Sequence, residues 1–300
     1  MPKEEAVLRR LVTVLAAAAT SIGILAFAAP AMAVEHHPKG IYAPFADCPL
    51  SNAKVEVCIA AKTTSGKFTI GKQTVPITSA ITLQGGAIEN PTTEALEFVA
   101  AEDGNTLSKT PQNVPGGLLD FVNCKEISNF IERLACELVF ENGVTGVTAT
   151  TELAAPASTI GLSTVNLVVG TGTALELPLK VKLNNPFLGE SCYIGSNAKP
   201  IKIPFTTGTT SPPPPNKPIT GSPGELETKE GGLYAKIQNN SLVNNSFAAP
   251  VVEGCGGGWS FLINPIVDAK LGLPAAAGVN TAILNGTLEE GAATAVKASE

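Results

Sequence analysis

The stretch ALELPLKVKL (residues 174–183) decides the fold, because it alternates between apolar and polar residues over almost its whole length. In an extended strand, alternate residues point to opposite faces, so this pattern predicts one apolar and one polar face. The apolar face comprises Leu175, Leu177, Leu179, Val181 and Leu183, and the other comprises Glu176, Pro178, Lys180 and Lys182. Proline cannot donate a ladder hydrogen bond, so Pro178 predicts an edge strand or a bulge.

Other stretches extend the same pattern over the chain. GVTATTEL (residues 146–153) alternates in the same way, with Val147, Ala149 and Leu153 on one side. Further predicted strands are 67–71, 74–83, 162–169, 199–206, 233–238, 259–263 and 280–288, separated by short turn signals. We therefore expect a mainly β protein, with antiparallel strands in one or more sandwich or barrel-like domains.

One segment follows a helical period instead. Its apolar residues recur at three- and four-residue steps from Leu118 to Val139. A bridge between Cys124 and Cys136 would exclude one straight helix, because twelve residues of helix span about 18 Å and a disulfide tolerates about 7 Å. Asn129 with Glu132 three residues later resembles a helix start. The sequence therefore predicts a helical elbow clamped by this bridge.

All six cysteines follow a predicted export signal, and an even count in that context indicates disulfides. Their spacing favours three pairs, which are Cys48–Cys58, Cys124–Cys136 and Cys192–Cys255. Fifteen pairings are possible, so this connectivity is a hypothesis. Zinc is the alternative, but it requires closely spaced ligand pairs of the C-x2-C kind, which are missing from the sequence.

The first 33 residues have the organisation of a secretory signal peptide. Lys3, Arg9 and Arg10 precede an apolar run, and the small-residue box Ala31-Met32-Ala33 precedes the predicted cleavage point. Residues 34–300 would then form a secreted β-rich region, either as one large unit or as two packed β subdomains. The proline-rich stretch 206–224 is expected to be a stiff surface loop within it, with an interdomain linker as the alternative.

Charge and terminal sequence limit the partners. The formal net charge is −6, and no run of Lys and Arg is long enough to form a basic patch. Nucleic acid and anionic lipid both require such clusters, so neither is expected as a partner. The C-terminal stretch carries no apolar anchor, and we expect no stable membrane attachment after signal cleavage. Secretion into the extracellular medium is the predicted localisation.

Several strings resemble secreted proteins of actinobacteria with no assigned function. They are FADCP (45–49), VPGGLL (114–119), LGESCYIGS (188–196), TTGTTSPPPPNKPITG (206–221) and GCGGGWSFLINPIVDAKLGLPAAAGVNTAILNGTLE (254–289). The resemblance spans most of the region after the signal and rests on structural residues. It implies a bacterial exported all-β protein, and it supplies no catalytic or binding residue.

Candidate catalytic groups are few. His36 and His37 are the only histidines, and their position near the predicted new N-terminus favours a solvated tail over a catalytic or metal-binding role. Glu152 and Glu176 are the best-placed carboxylates for a glycosidase pair, although both fall on polar strand faces. No cofactor motif occurs in the sequence. We therefore expect no catalytic, cofactor or metal site, and an enzyme is the less favoured class.

The glycine-rich stretch VVEGCGGGWSFLINP (251–265) first suggests a phosphate loop or a cysteine nucleophile. It lacks the Lys-Ser/Thr of a phosphate loop, and no histidine or cation lies near Cys255 in the sequence. We predict instead that Cys255 pairs with Cys192, that the glycines permit a tight turn, and that Trp259 begins a strand covering the bridge.

Three functions remain open on sequence alone. The leading hypothesis is a non-enzymatic exported protein that acts by binding or by structural display at the cell envelope or in the medium. The second is a carrier of an apolar ligand, since Ala, Leu and Val are plentiful and a β domain could enclose a cavity. The third is a secreted hydrolase that uses carboxylates.

Overall fold

The structure is a computed structural model that describes residues 36–89, 96–117, 128–130, 133 and 146–300. The predicted signal sequence, Cys124, Cys136 and most of the predicted helical elbow lie outside these ranges. Within the elbow, the backbone N–H of Arg133 donates to the carbonyl of Asn129 at 2.8 Å, the i to i−4 bond of an α-helix.

Antiparallel strands dominate the described residues, and short helices lie between them. The strands are β1 Val57–Ile70, β2 Gln73–Pro76, β3 Ile81–Glu89, β4 Leu96–Ala100, β5 Gln112–Asn113, β6 Thr148–Leu153, β7 Gly161–Leu162, β8 Leu175–Asn184, β9 Tyr193–Ile194, β10 Ile201–Phe205, β11 Glu225–Lys229, β12 Tyr234–Asn244, β13 Val252–Glu253 and β14 Thr281–Ala292. The α-helices are α1 Thr164–Val169, α2 Ser260–Leu271 and α3 Ala293–Ala298. Short 3-10 helices occupy Gly40–Phe45, Ala157–Thr159, Glu230–Gly232 and Gly257–Trp259.

Strand β8 is the centre of one sheet, which we call the β8 sheet. The five apolar residues predicted to share a face are all buried, so this prediction is confirmed. Strands β6 and β7 pair along one edge of β8, and β10 and β9 pair along the other. Strands β5 and β13 complete the sheet beyond β6 and β9.

The prediction that β8 is an edge strand or bulged at Pro178 is wrong. Pro178 lies opposite Lys202 of β10, and on its other side its carbonyl accepts the N–H of Ala154 at 2.9 Å. Ala154 directly follows β6, and β7 begins only at Gly161. The proline is therefore tolerated inside the sheet because it lies where one neighbouring strand has ended and the next has not begun.

The second sheet, which we call the β1 sheet, has the order β11-β12-β14-β1-β3-β4, and β2 pairs with β1. Its central strands β1 and β14 run antiparallel from Val57 opposite Ala292 to Thr69 opposite Thr281. The register shifts twice beside β14, between Thr63 and Ser65 of β1 and between Ile237 and Asn240 of β12. Both shifts are β-bulges, which bend a sheet locally.

The two sheets pack face to face around one apolar core. This core combines Ile59, Leu83, Leu284 and Leu288 of the β1 sheet with Leu177, Leu179, Ile203 and Phe205 of the β8 sheet, among others. An isolated bridge with two hydrogen bonds joins Thr206, after β10, to Val243 of β12. Of the two expected architectures, the β-sandwich is the one observed. Val34–Glu300 forms one compact unit.

A smaller apolar cluster covers the outer side of the β1 sheet. It contains Tyr42 and Phe45 from the first 3-10 turn, Tyr234 of β12 and Val296 of α3. The Cys48–Cys58 bridge lies within it and ties the N-terminal turn to β1. Tyr234 meets both Tyr42 and Phe45 edge to face, with ring centroids 6.1 and 6.4 Å away. This second cluster is why both faces of the long central strands carry apolar residues.

Residues 162–169 were predicted to be one strand, and this is wrong. Only Gly161–Leu162 pair with β8, and the chain then forms the short helix α1. The Ser163 hydroxyl accepts the N–H of Asn166, which caps the helix start, and Gly170 ends the helix with φ 74°. Serine before and glycine after the apolar run were the signals for this helix.

The proline-rich stretch 206–224 folds back on itself. Thr209 and Thr220 form a bridge, and the N–H of Gly221 donates to the carbonyl of Gly208 at 3.0 Å. At its tip, the Asn216 side chain donates to the carbonyls of Asn245 and Asn280 at 2.9 and 2.8 Å. The stretch is therefore a loop anchored to the sandwich.

Asn280 joins several loops at one end of the sandwich and has no exposed surface. Its side-chain oxygen accepts the N–H of Gly71 at 2.8 Å, and its side-chain nitrogen donates to the carbonyls of Phe247 and Ala276 at 2.8 and 3.2 Å.

In the described part of the chain, no helix combines the length and apolar character needed to cross a bilayer.

We predict that Asn280→Ala lowers the free energy of unfolding by about 3 kcal/mol, because it removes three buried hydrogen bonds and leaves the Gly71 N–H without its acceptor. Urea unfolding measures the change. The exposed Asn105 provides the matched control, since Asn105→Ala should change the free energy by less than about 0.5 kcal/mol. Equal effects of the two substitutions would contradict the role assigned to Asn280.

Candidate functional site

The Cys192–Cys255 bridge is fully buried and joins two loops that are 63 residues apart in sequence. Gly254 precedes Cys255 with φ 74°, and a Cβ at this position would lie 2.2 Å from the carbonyl oxygen of Ser191. Only glycine permits this approach of the two backbones. The glycine-rich stretch is thus a disulfide-anchored turn, and Cys255 has no free thiol to act as a nucleophile.

Helix α2 follows this turn and is fixed to it by two side chains. The N–H of Cys255 donates to Asn264 Oδ1 at 2.9 Å, and the N–H of Val252 donates to Asp268 Oδ1 at 2.8 Å. Val267 and Leu271 are buried in the core, and Ile263 packs against it. At the other end of the helix, the carbonyl of Leu271 accepts the N–H of Lys72. The inner side of α2 is therefore held along its whole length.

The opposite side of α2 is apolar and exposed. We call Trp259, Phe261, Leu262, Pro265 and Ile266 the outer face of α2. Trp259 and Phe261 are 66 % and 69 % exposed, and their rings stack with centroids 6.3 Å apart. Large apolar side chains that are contiguous and exposed are uncommon on a soluble monomer and mark interaction sites.

A neighbouring loop adds a further exposed aromatic residue near the helix start. The N–H of Gly256 donates to the carbonyl of Leu188 at 2.7 Å, which brings residues 185–188 beside the glycine turn. Phe187 in this loop is partly exposed. The apolar surface is therefore centred on the disulfide-anchored turn.

The predicted strand 259–263, with Trp259 covering the bridge, is wrong. Trp259 ends a 3-10 turn, and residues 260–271 are helical. The five residues WSFLI are too few to distinguish a strand from a helix by periodicity. The longer spacing of four between Ile263, Val267 and Leu271 was the signal that could have identified α2.

The two carboxylates considered for a glycosidase do not come together. Glu152 lies opposite Lys180 on β8, with 3.6 Å between their charged groups, whereas Glu176 lies four residues further along β8 and is exposed. Four residues of strand span about 13 Å, and glycosidase carboxylates lie about 5–9.5 Å apart. Glu152 also lies beside the Tyr193 hydroxyl. Burial and this neighbouring carboxylate raise the pKa of Tyr193.

The expectation of a solvated tail is wrong for His36. Its Nδ1 lies 2.6 Å from the Glu300 carboxylate, and only 10 % of its side chain is exposed. Lys39 contacts the Glu300 carbonyl oxygen, so this segment is attached to the C-terminal residue. His37 is exposed. Among the described residues, no group of three or more His, Cys, Asp or Glu has the arrangement of a metal site.

One half-buried carboxyl group lies between β14 and helix α1. Glu290 of β14 continues the inward-facing series of Leu284 and Leu288, and the Thr164 hydroxyl of α1 donates to it at 2.5 Å. Burial raises the pKa of Glu290 above its ordinary value, although the hydrogen bond from Thr164 acts in the opposite direction. Glu289 and Glu290 are adjacent in the sequence, and only tertiary contacts decide which of the two carboxyl groups faces helix α1.

Comparison of the chain with protein-family models, curated proteins and solved structures finds no significant match. The resemblance to secreted actinobacterial proteins therefore stays a prediction.

We predict that Cys192→Ala/Cys255→Ala lowers the free energy of unfolding by about 4 kcal/mol, because the bridge closes a long loop and restricts the unfolded chain. The Cys48–Cys58 bridge closes a separation of only 10 residues, so Cys48→Ala/Cys58→Ala should lower the free energy of unfolding by about 3 kcal/mol. Urea unfolding compares the two variants. A larger loss for the short bridge would contradict this ranking.

We predict that Glu290→Gln stabilises the protein at pH 7. A carboxyl group whose pKa is raised by folding contributes its full stability below the unfolded pKa of about 4.3, and loses it as pH rises through the folded pKa. Glutamine resembles the protonated form, so the gain in melting temperature should appear at neutral pH and vanish near pH 4. Melting curves across this range test it, with exposed Glu176→Gln as the control. A gain that is independent of pH would refute the assignment.

Proposed function

We propose that this is an exported, non-catalytic binding protein, and that it recognises another protein of the cell envelope or medium through the outer face of α2. The observation that carries the proposal is the pair of stacked, exposed rings Trp259 and Phe261 at the start of a rigidly anchored helix.

The apolar character of α2 on both sides supports a partner. A helix that is apolar all round is normally buried, whereas one at a protein surface normally has a polar outer side. The inner side of α2 uses Ile263, Val267 and Leu271 in the core. Its outer side places Phe261, Leu262 and Ile266 in water. Burial of this outer side against another molecule would be favourable by about 25 cal/mol per Å² of apolar surface removed from water.

The charges around α2 favour a protein partner over a lipid surface. Helices that lie on anionic membranes carry Lys and Arg beside their apolar face. Lys270 is the single basic residue of α2, and Asp268 is engaged by the Val252 N–H. The formal net charge of −6 also disfavours anionic lipid.

The support beneath the outer face suits protein recognition. Aromatic residues dominate the binding energy of protein interfaces, and a preorganised surface loses less conformational entropy on binding. Here the Cys192–Cys255 bridge and the Asn264 and Asp268 side chains fix the helix before any partner arrives. Buried disulfides also accord with an oxidising compartment, as the predicted signal peptide requires.

Photo-crosslinking from position 262 in the producing organism tests this function. A crosslinker there should capture one defined envelope or secreted protein, which is then purified. Phe261→Asp should weaken its binding at least tenfold, whereas Val165→Asp, on the 70 % exposed residue of α1, should leave it unchanged. Neither substitution should lower the melting temperature by more than a few degrees.

Trp259 provides a direct readout, because it is the only tryptophan of the chain. Its emission should shift to shorter wavelength when the purified partner binds and should not respond to lipid vesicles. A shift with vesicles of phosphatidylcholine and phosphatidylglycerol, or crosslinks only within the chain or to a second copy, would overturn the proposal.

A further inference from the structure

We infer that the space between the two sheets holds a second binding site, which accepts a small hydrocarbon group. A cavity of about 60 Å³ lies there, and its walls come from both sheets. Leucines dominate the walls, with Leu177 and Leu179 on the β8 sheet and Leu242, Leu284 and Leu288 on the β1 sheet. No residue of the outer face of α2 lines the cavity, so this inference is independent of the proposed protein partner.

The backbone of the β1 sheet accounts for the empty space. Gly286 occupies the position of β14 between Leu284 and Leu288 and lines the cavity without a side chain. The bulges of β1 and β12 lie on either side of it, at Thr63 and at Asn240. A Cβ at Gly286 would lie 2.0 Å from the Lys62 carbonyl oxygen. The bulges therefore exclude a side chain at this point and leave the interior underfilled.

The walls favour hydrocarbon over water. A single water molecule needs about 10–15 Å³ and two to four polar partners. The volume is sufficient for water, but the polar groups are few. The Asn240 side chain already donates to the Ile237 carbonyl at 3.3 Å, and Lys62 at the rim is exposed. The remaining polar lining residues are Thr63, Thr151 and Thr287. Apolar cavities of this kind stay dry and take up apolar atoms.

The size of the cavity limits the ligand. It is smaller than the cavity of about 150 Å³ that admits benzene in an engineered lysozyme, so it suits a methyl-branched or short alkyl group. Phe68 also lines a second void of about 30 Å³ on its other side, toward Val114 and Val181. Movement of this half-buried ring would join the two voids into a longer channel for an alkyl chain.

The site therefore accepts the hydrocarbon part of a small apolar molecule or the end of a lipid chain. Tight packing is the rule in protein interiors, and a void forfeits dispersion contacts along its whole lining. A ligand that restores those contacts would stabilise the sandwich in proportion to its occupancy.

Xenon provides the test on the complete secreted protein with 13C-labelled leucine methyl groups. Under xenon pressure, methyl shifts should move for Leu177, Leu179, Leu242, Leu284 and Leu288, and should stay fixed for Leu188 and Leu273, which lie outside the cavity. Leu284→Phe fills the space and should abolish the response. Absence of xenon-dependent shifts, or equal shifts at Leu188 and Leu273, would overturn the inference.

A second variant remains informative if Leu284→Phe does not fold. Phe68→Ala joins the two voids, so benzene at tenfold excess over its Kd should raise the melting temperature of this variant by about 3 °C. Native mass spectrometry of protein from its producing organism distinguishes the two ligand sources. An adduct of lipid mass identifies a lipid chain, and an adduct of smaller mass identifies a small apolar molecule. A Phe68→Ala variant that benzene does not stabilise would contradict the cavity.

Discussion

The Cys192–Cys255 bridge is the constraint on which the candidate binding surface depends. It fixes the loop after β8 to the turn before α2 and closes a chain segment that includes β9 to β13 and the proline-rich loop. Because both sulfur atoms are buried, the bridge also forms part of the apolar core. The helix that follows is thereby presented with one side packed and the other exposed. The Asn264 and Asp268 side chains, the Lys72 N–H bond to the Leu271 carbonyl and the apolar inner side of α2 act together with this covalent link to orient the helix.

The two sheets pack closely over most of their shared interface but not near Gly286. Most of the inward-facing residues fill the core as protein interiors require. Near Gly286, however, β-bulges flank β14 on both sides, and an unfilled cavity lies between the sheets. The half-buried Glu290 lies two positions beyond Leu288 on the same strand. The unfilled apolar space and the partial desolvation of the Glu290 carboxyl group both reduce stability, and such departures from ideal packing are concentrated at functional sites.

Sequence periodicity succeeded where a strand was long enough and had one solvated face. The five apolar residues of β8 repeat at every second position, and all five are buried. The spacing of the cysteines likewise predicted Cys48–Cys58 and Cys192–Cys255. Periodicity failed for α1 and for the start of α2, because an apolar run of five to eight residues fits a strand and a helix equally well. In α1 the capping residues Ser163 and Gly170 favour the helix over a strand. In α2 the core contacts of Val267 and Leu271 favour the helix.

The sequence by itself determined the mainly β class and the inward face of β8, since strand alternation is a local property of the chain. It suggested the two disulfides Cys48–Cys58 and Cys192–Cys255, and the structure decided between the possible pairings. Only the tertiary structure decided that Pro178 lies inside a sheet, that Asn280 ties distant loops together and that α2 has an exposed apolar side. The physical reason is the same in each case. Whether a group is paired, buried or exposed depends on residues tens or hundreds of positions away, and no local pattern records which of them will be its neighbours.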